Sequence, residues 1–328
     1  MSPAAIEVQG LAFAYVGQSS GQSSGQRAGR PLLQDLSFRV EAGEIFGLVG
    51  ADGAGKSTAL KLVIGQLQAD AGELRVLGQP PSDPGLRSQL AYMPQGFGLY
   101  PDLSIHENLH FFADLHGLSS ADADRHIADL LQRTGLAGFE TRRAGQLSGG
   151  MMQKLALACA LVTEPRVMVL DEPTTGVDPV SRRAFWNLLE GVRAEGVAIL
   201  YATANQQEAA RCDRIGFLEQ GQLQRQGTPA EMTRLPEALL LRVSGPGARG
   251  QRKALRELAE VRWVFPLGAQ LHVWLQPHSD VDQFQQHLAE TAPALQAERI
   301  EPSLQDVALH NLSLVAAAGP ETQQATAP

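Results

Sequence analysis

The chain has 328 residues, 44% of them hydrophobic, which is long enough for about two domains and a sizeable core. A formal net charge of -8 and a pI near 5.5 argue against binding of nucleic acid through bulk charge, and we expect no nucleic-acid partner. No run of ~18 consecutive apolar residues and no leader-like start occur, which predicts a cytoplasmic protein that meets a membrane only through a partner.

Strand and helix patterns alternate through the first two thirds of the chain. Strand formers begin at Ile6 and resume after a Gly/Gln/Ser-rich insert, residues 17–29, which we predict to be a mobile surface loop. A glycine-rich turn and an apolar helix follow, and residues from Ser104 to Phe139 then carry apolar residues at helical spacing. VMVLDEP and VAILYAT read as buried strands, and a hairpin is predicted around Gln220–Gly221. The alternation predicts a largely parallel α/β core.

The composition changes near residue 237. We assign residues 1–237 to the α/β domain, with a helical subdomain at about 97–150. Residues 238–312 contain a Pro/Gly break and then helix and strand patterns, which predict a small α+β accessory domain with a regulatory or dimer-supporting role and no chemistry. Residues 313–328 are predicted to be a disordered tail.

The segment GADGAGKST follows a strand pattern and opens a helix pattern, and it fits the phosphate-loop motif G-x-x-x-x-G-K-[ST]. Backbone N–H groups of such a loop turn inward around phosphate oxygens, aided by the positive end of the helix. Lys56 is predicted to reach the β- and γ-phosphates of ATP, and the Ser57 hydroxyl to bind Mg²⁺. Asp52 stands at a variable position, where its side chain can point away. The candidate ATP-binding residues of this loop are Gly50, Ala51, Asp52, Gly53, Ala54, Gly55, Lys56, Ser57 and Thr58.

Two acids end the buried-strand pattern VMVLDEP. Asp171 is placed to hold the water shell of the magnesium ion, and Glu172 to orient and polarise the attacking water. An apolar run followed by two acids is weak evidence alone, but it follows a phosphate loop here. Lys56 and Glu172 are therefore the predicted catalytic residues.

A third motif, LSGG, leads directly into the helix pattern MMQKLALACAL. By itself Ser148 would be only a helix N-cap. In a nucleotide-binding chain the same geometry also offers an anion site, made by the serine hydroxyl, the amides of Gly149 and Gly150, and the helix dipole.

These motifs occur in a characteristic order: GADGAGKST, YMPQGFGLY with Gln95, LSGG followed by Gln153 and Lys154, VLDEP, and GVDP with Asp178. Over roughly Ile6–Gly227 the chain resembles the ATP-binding subunits of ABC transporters. Within that family it is most similar to drug-export types, in particular to the N-terminal half of tandem two-ATPase exporter proteins. The resemblance implies a P-loop NTPase core with a helical subdomain.

The resemblance also assigns roles to single residues. Tyr15 would stack on adenine, and Gln95 would join Ser57 at the magnesium ion and sense the membrane partner. Ser148, Gly149 and Gly150 would contact ATP held by the opposite subunit, because such sites form between two ATPase domains. Asp178 would lie across that dimer interface, and the helical subdomain would meet the membrane partner.

One position departs from the family pattern S-T-H-x-x-x-E-A. This chain reads A-T-A-N-Q-Q-E-A, so Thr203 and Glu208 match while Ala204 stands where the family has a histidine. A methyl group then replaces the donor to the γ-phosphate, which predicts a degenerate ATP site. The alternative is that Asn205 substitutes with its amide, which can donate but carries no charge.

The predicted function is ATP binding and hydrolysis that powers an ABC exporter, for multidrug or small-molecule efflux, through a separate membrane permease. The expected cofactors are ATP and Mg²⁺. The expected partners are the permease and a second ATP-binding domain, either a different chain or a second copy, at the inner face of the cell membrane. Alternatives are a soluble ABC-type ATPase acting on ribosomes or DNA, and a regulatory nucleotide-binding subunit with little turnover.

Overall fold

The structure, a computed structural model, describes residues 4–15, 32–235 and 239–317, and the predicted surface loop at 17–29 lies outside these residues. The chain divides into two compact units, Met1–Thr228 and Pro229–Pro328. The division falls at Thr228 rather than at residue 237, because helix Pro229–Thr233 packs against the last helix, Leu304–Ala317.

The first unit contains nine strands, six α-helices and two short 3₁₀-helices, Pro84–Leu86 and Ala144–Gln146, within its described residues. The strands are β1 (Ile6–Phe13), β2 (Leu33–Val40), β3 (Ile45–Val49), β4 (Ala71–Val76), β5 (Leu90–Met93), β6 (Val167–Asp171), β7 (Ala198–Thr203), β8 (Arg214–Glu219) and β9 (Gln222–Gly227). The helices are α1 (Lys56–Val63), α2 (Ile105–Leu115), α3 (Ser120–Thr134), α4 (Gly149–Leu161), α5 (Pro179–Ala194) and α6 (Gln206–Ala209).

A six-stranded sheet with the order β5-β6-β7-β3-β8-β9 forms the centre of this unit. Its strands are parallel except for β9, which forms a hairpin with β8. Every residue of β3, β6 and β7 is buried, as expected for parallel strands that are covered on both faces. The predicted parallel α/β core is confirmed. The predicted hairpin is present, with Gln220 and Gly221 at its turn, both with positive φ.

Parallel strands place their carboxyl ends at one edge of the sheet, and this arrangement gathers the site. Gly50 follows β3, Asp171 ends β6, Ala204 follows β7, and Gln95 lies just after β5. Residues that are far apart in sequence thus share one edge.

Two further layers complete the first unit. A three-stranded antiparallel sheet, order β2-β1-β4, packs on the central sheet. The rings of Phe38 and Phe46 stack across that boundary with their centroids 5.2 Å apart. Helices α2, α3 and α4 enclose a separate apolar core that includes Leu109, Ile127 and Leu155. This helical cluster overlaps the region predicted to be a helical subdomain.

The second unit contains α7 (Pro229–Thr233), β10 (Leu240–Ser244), α8 (Arg252–Arg256), β11 (Val261–Leu267), β12 (Gln270–Leu275), α9 (Val281–Thr291), β13 (Gln296–Arg299) and α10 (Leu304–Ala317). Its sheet is antiparallel with the order β11-β12-β10-β13, and the sequence of elements from β10 to β13 is βαββαβ, the ferredoxin-like arrangement. The predicted tail begins too early, because α10 continues to Ala317; residues 318–328 lie outside the described residues.

Candidate nucleotide-binding site

The loop Gly50–Thr58 is a tight strand-to-helix turn between β3 and α1. A Cβ atom at Gly50 would collide with the carbonyl oxygen of Leu218 on β8. Gly55 has φ of 107° and its Cβ would lie 2.7 Å from Leu33 Cδ2. Both positions therefore need glycine for the loop to close against its neighbours.

Helix α1 begins at Lys56 with Gly55 as its N-cap, and no side chain caps it. The amide groups of its first turn are thus not satisfied by a capping side chain, and the positive end of the helix points into the loop. This is the geometry that receives a phosphate group.

The Lys56 side chain is 4% exposed, and its ammonium group is held inside the loop. Nζ donates hydrogen bonds to the carbonyl oxygens of Gly50 at 2.8 Å and Ala51 at 3.1 Å, and lies 3.0 Å from Glu172 Oε1. Asp52 contributes little, since its side chain is 93% exposed and its carboxylate is 3.9 Å from Nζ. The lysine is thus positioned by two carbonyl oxygens of the loop, and its charge is paired with the Glu172 carboxylate.

Ser57 and Asp171 bring two oxygen atoms within hydrogen-bonding distance of each other. The Ser57 hydroxyl donates to Asp171 Oδ1 at 3.1 Å, and Asp171 is 3% exposed. Burial raises the pKa of Asp171, against the lowering effect of the Ser57 hydrogen bond. Burial and the nearby charge of Asp171 also raise the pKa of Tyr92 to about 12. A hydroxyl and a carboxylate are ligands that suit Mg²⁺.

Glu172 has a left-handed backbone conformation, with φ of 47°, that is uncommon for a residue with a side chain. Its N–H donates to the carbonyl of Ala202 at 3.0 Å, which fixes this conformation at the end of β6. Gln95 Nε2 and Thr175 Oγ1 lie 3.5 Å and 3.3 Å from Glu172 Oε2. The carboxylate is therefore aimed at the loop and contacts Gln95. Two predicted site residues that follow different strands thus meet here.

Tyr15 is brought to the loop by the end of β1. Its hydroxyl lies 3.4 Å from Thr58 Oγ1, its ring packs edge-on against Phe13 at 4.9 Å, and half of the side chain is exposed. The preceding amide, that of Ala14, donates to Asp70 Oδ2 at 2.8 Å, which anchors the chain there. An exposed aromatic face beside the phosphate loop is suited to stacking on a base.

The LSGG segment begins helix α4. Ser148 is its N-cap, and its hydroxyl accepts from the amide of Met151 at 3.3 Å. The two glycines differ: a Cβ at Gly149 would meet open space, while one at Gly150 would collide with the Ser181 side chain on α5. Gly150 is thus explained by close helix packing, whereas Ser148 and Gly149 are exposed at the surface.

No hydrogen bond or ion pair joins Ser148, Gly149 or Gly150 to the phosphate loop within the described part of the chain. Helix α4 is instead tied to the acidic segment through Gln153, which is fully buried and donates from Nε2 to the carbonyl of Pro173. Pro173 directly follows Glu172, so the position of α4 is linked to that of the carboxylate.

Asp178 is the N-cap of α5. Its Oδ1 accepts from the amides of Val180 at 3.0 Å and Ser181 at 2.9 Å. Hydrogen bonds from Ser181 and from the Val180 amide hold the pKa of Asp178 below its usual range. The residue thus has a local role in the helix, and it is exposed.

Ala204 is exposed at the end of β7, and its neighbour Asn205 is held in a cap. Asn205 Oδ1 accepts from the amide of Gln207 at 2.9 Å, and its own N–H donates to Thr203 Oγ1 at 2.9 Å. Beside Ala204 lies a cavity of about 240 Å³. Its lining residues are Glu172, Thr174, Thr175, Arg182, Thr203, Ala204, Asn205 and Glu208.

Sequence reasoning missed the buried carboxylate that organises this cavity. Glu208 is 4% exposed; the hydroxyls of Tyr201 at 3.0 Å and Thr203 at 2.8 Å donate to it, as does Thr174. Burial, and next the charge of Glu208, raise the pKa of Tyr201 well above its usual value. Arg182 Nε lies 3.5 Å from Glu208 Oε1. The sequence marked Glu208 only as a match to the family pattern, and no signal paired it with Arg182, because charged residues on a helix usually indicate a solvated face.

A phosphate loop between a parallel strand and a helix, with two acids at a neighbouring strand end, defines a P-loop nucleotide-binding protein. Comparison with known proteins narrows this class. A family model described as ABC transporter matches residues 33–175. A probable multidrug ABC transporter ATP-binding protein of Escherichia coli, YbhF, is 39% identical over 266 residues, 80% of this chain and 44% of that protein. The chain therefore spans less than half the length of that relative.

Nod factor export ATP-binding protein I of Burkholderia thailandensis is 38% identical over 233 residues, which cover 70% of this chain and 77% of that protein. A solved structure described as an ATP binding subunit of an ABC transporter is 32% identical with a TM-score of 0.60, covering 70% of this chain and 92% of that one. The chain belongs to the ATP-binding proteins of ABC transporters. None of the helices in the described ranges is long and apolar enough to cross a bilayer.

Proposed function

We propose that this chain binds and hydrolyses MgATP and so powers an ABC exporter, for multidrug or small-molecule efflux, through a separate membrane permease. The observation that carries the proposal is the loop Gly50–Thr58, whose buried lysine pairs with Glu172 at 3.0 Å. The names of the two relatives, which specify multidrug transport and Nod factor export, support the direction of transport.

The Lys56–Glu172 ion pair suggests how the site responds to nucleotide. Phosphate oxygens entering the loop compete with the Glu172 carboxylate for the Lys56 ammonium group. Once Lys56 turns to the β- and γ-phosphates, Glu172 is released to accept a hydrogen bond from the attacking water. Gln95 and Thr175, already within 3.5 Å of Glu172 Oε2, then keep the carboxylate in place.

Mg²⁺ would be held by Ser57, Asp171 and Gln95. The Ser57 and Asp171 oxygens are 3.1 Å apart, and Gln95 contacts Glu172, the residue that follows Asp171. Bound there, the ion would neutralise charge on the terminal phosphates. The buried Asp171 carboxylate gains a partner for its charge in this way, which offsets the cost of its burial.

The remaining predicted residues contact the adenine base or a partner protein. Tyr15 stacks on adenine, while Ser148 and Gly149 contact ATP held by an opposite ATP-binding domain, with Gly150 allowing α4 to approach α5. Asp178 lies at the same interface. The exposure of Ser148, Gly149 and Asp178 supports this assignment, since a surface that completes another subunit's site must be accessible. The helical cluster of α2–α4 meets the permease at the inner membrane face.

The site of this chain is degenerate, because Ala204 ends in a methyl group where a histidine would donate to the γ-phosphate. Losing a positioned donor of this kind typically costs ~10²–10⁴ in rate. Asn205 is a poor replacement, since its Oδ1 caps α6 and leaving that cap costs about 1 kcal/mol. The chain then works best with a different ATP-binding domain that keeps its histidine, whose competent site Ser148 completes.

Binding is tested by titration with a fluorescent ATP analogue, with Lys56→Ala as the test variant and Arg183→Ala as an exposed control. We expect Lys56→Ala alone to abolish binding. Unchanged affinity in that variant would refute the loop assignment.

Turnover is tested with the wild-type chain, Ala204→His, and a mixture with a histidine-bearing ATP-binding domain. Slow turnover alone, a gain in Ala204→His, and fast turnover of the mixture that Ser148→Arg removes are expected. Binding without turnover in every combination would favour the regulatory nucleotide-binding subunit.

Co-expression with a candidate permease should move the chain to the membrane fraction, and equal solubility with and without it would favour the ribosome or DNA alternative.

A further inference from the structure

The cavity beside Ala204 opens directly next to the proposed catalytic carboxylate. Glu172 forms part of its wall, and Lys56, which binds the terminal phosphates in our proposal, lies 3.0 Å from that carboxylate. A volume of about 240 Å³ holds several water molecules, at roughly 30 Å³ each in the liquid. The proposed roles of Lys56 and Glu172 therefore place the γ-phosphoryl group and its attacking water next to this cavity.

Arg182 is the only cation among the described residues that line the cavity. It lies in the first turn of α5, and its Nη2 donates to the carbonyl of Val177 at 3.1 Å. Its Nε is buried, lies 3.5 Å from Glu208 Oε1, and makes no hydrogen bond to any described residue. A buried donor without a hydrogen bond is costly, so the protein does not fully satisfy this guanidinium group. The side chain as a whole is 29% exposed and lines the cavity.

Glu208 holds this guanidinium group at the cavity wall. The carboxylate is fixed by the hydroxyls of Thr174, Tyr201 and Thr203, so it cannot rotate freely toward the arginine to complete a hydrogen bond. Arg182 is thus attracted to Glu208 by charge while its Nε remains unbonded. Since about 29% of its side chain is exposed, the end of the arginine has room to move.

We infer that Arg182 is a catalytic residue of this chain, donating from its guanidinium group to the γ-phosphoryl group of ATP. The inference rests on the proposed hydrolysis. Negative charge on the oxygens around the transferring phosphoryl group must be stabilised, and an arginine is suited to this because its charge is permanent and its donors are planar. At a site where Ala204 offers only a methyl group, Arg182 supports the slow turnover that remains.

The expected effect follows from the pairing with Glu208. An arginine aimed at the transferring phosphoryl group contributes ~10³–10⁵ in rate. Arg182 shares its charge with a carboxylate 3.5 Å away, so we expect Arg182→Gln to lower kcat by about 10- to 100-fold with little change in KM. The matched control is Arg183→Gln, which removes an exposed charge from the next position of α5 and should leave kcat unchanged.

Two double variants separate catalysis from structure. If Arg182 only neutralises Glu208, the pair Arg182→Gln with Glu208→Gln should recover wild-type turnover; if it is catalytic, the double variant stays slow. In the Ala204→His background a new donor serves the phosphate, so Arg182→Gln should cost less than it does in the wild type. Guanidinium chloride at low millimolar concentration should raise turnover of Arg182→Gln and not that of the wild type.

A binding readout keeps the inference independent of turnover. Affinity for ADP with aluminium fluoride, a mimic of the transferring phosphoryl group, should fall in Arg182→Gln by the same 10- to 100-fold, while affinity for ADP alone is retained. Loss of ADP and mimic binding in equal measure, or full recovery of turnover in the Arg182→Gln, Glu208→Gln double variant, would overturn the inference. If the wild type hydrolyses no faster than Lys56→Ala, the proposed function fails, and mimic affinity alone decides the role of Arg182.

Discussion

Replacing Glu208 by glutamine should destabilise the first unit, although the two side chains have nearly the same shape. The carboxylate is 4% exposed and accepts hydrogen bonds from Tyr201 at 3.0 Å, from Thr203 at 2.8 Å, and from Thr174. A glutamine keeps one acceptor oxygen and turns an NH₂ group toward hydroxyls that now donate. At least one hydroxyl must therefore rotate or lose its bond.

The size of the effect follows from what replaces each interaction. A hydrogen bond to a charged group contributes ~1.5–3 kcal/mol, and one between neutral groups contributes ~0.5–1.5 kcal/mol. Three weakened bonds would thus cost about 3 kcal/mol in all. The glutamine no longer needs to keep a charge out of water, which offsets part of this loss. Arg182 adds little, because the arginine is partly exposed and the pair is screened. We expect Glu208→Gln to lower the free energy of unfolding by about 2 kcal/mol.

Amide hydrogen exchange in urea is the suitable assay, because it reports on β7 and therefore on the first unit alone. Glu190→Gln is the control: Glu190 is 48% exposed and pairs with Arg211 at 2.7 Å, so its loss should cost less than about 1 kcal/mol. Equal exchange in the two variants, or slower exchange in Glu208→Gln, would mean that the buried charge is a net cost and that the reasoning is wrong.

Three further predictions concern the site. Burial raises the pKa of Asp171 in the folded chain, so its stability contribution is present below the unfolded pKa of about 3.9 and is lost as pH rises through the folded value. Asp171→Asn should therefore raise the melting temperature of the nucleotide-free protein at pH 7, with no gain near pH 4, and weaken the dependence of ATP binding on magnesium. Gly50→Ala places a methyl group against the carbonyl oxygen of Leu218, so it should lower the free energy of unfolding by about 1–3 kcal/mol and weaken ATP binding. Gly149→Ala should be tolerated, because its methyl group meets open space. Thermal melting and ATP titration measure the two effects. Truncation after Thr228 should leave ATP affinity intact in the same titration, and a large loss would give the second unit a part in the site.

The sequence was most informative where the chemistry is local. Gly50–Thr58 needs only a strand before it and a helix after it, and the same is true of the acids after β6. These segments could be placed because each motif is contiguous and its structural setting is fixed by its neighbours. The choice of Gln95 as a site residue rested on the family resemblance instead, and its contact with Glu172 was not predicted, since no local pattern joins the ends of β5 and β6.

Other features could not be read from the chain because they depend on packing between distant segments. The strand order is set by non-local pairing, and the βαββαβ topology of the second unit follows from pairing of β10 with β12 and β13. Arg182 and Glu208 look like solvated charges on two separate helices until the fold brings them within 3.5 Å of each other and buries the glutamate. The helix that continues to Ala317 was missed because small residues such as alanine occur in helices and tails alike.

The arrangement separates what holds a nucleotide from what speeds its hydrolysis. The residues that we propose to receive phosphate and metal are Lys56, Ser57 and Asp171. Their positions depend on β3 and β6, on the bond between Ser57 and Asp171, and on the pairing of Lys56 with Glu172. The end of β7 is fixed independently, since Thr203 bonds to Glu208 and to the amide of Asn205. No hydrogen bond there requires a side chain at position 204. We therefore expect alanine at position 204 to leave the fold and the phosphate loop intact, so that its cost falls on the rate alone. In our proposal, this independence is what lets the chain keep its ATP while a partner domain performs most of the turnover.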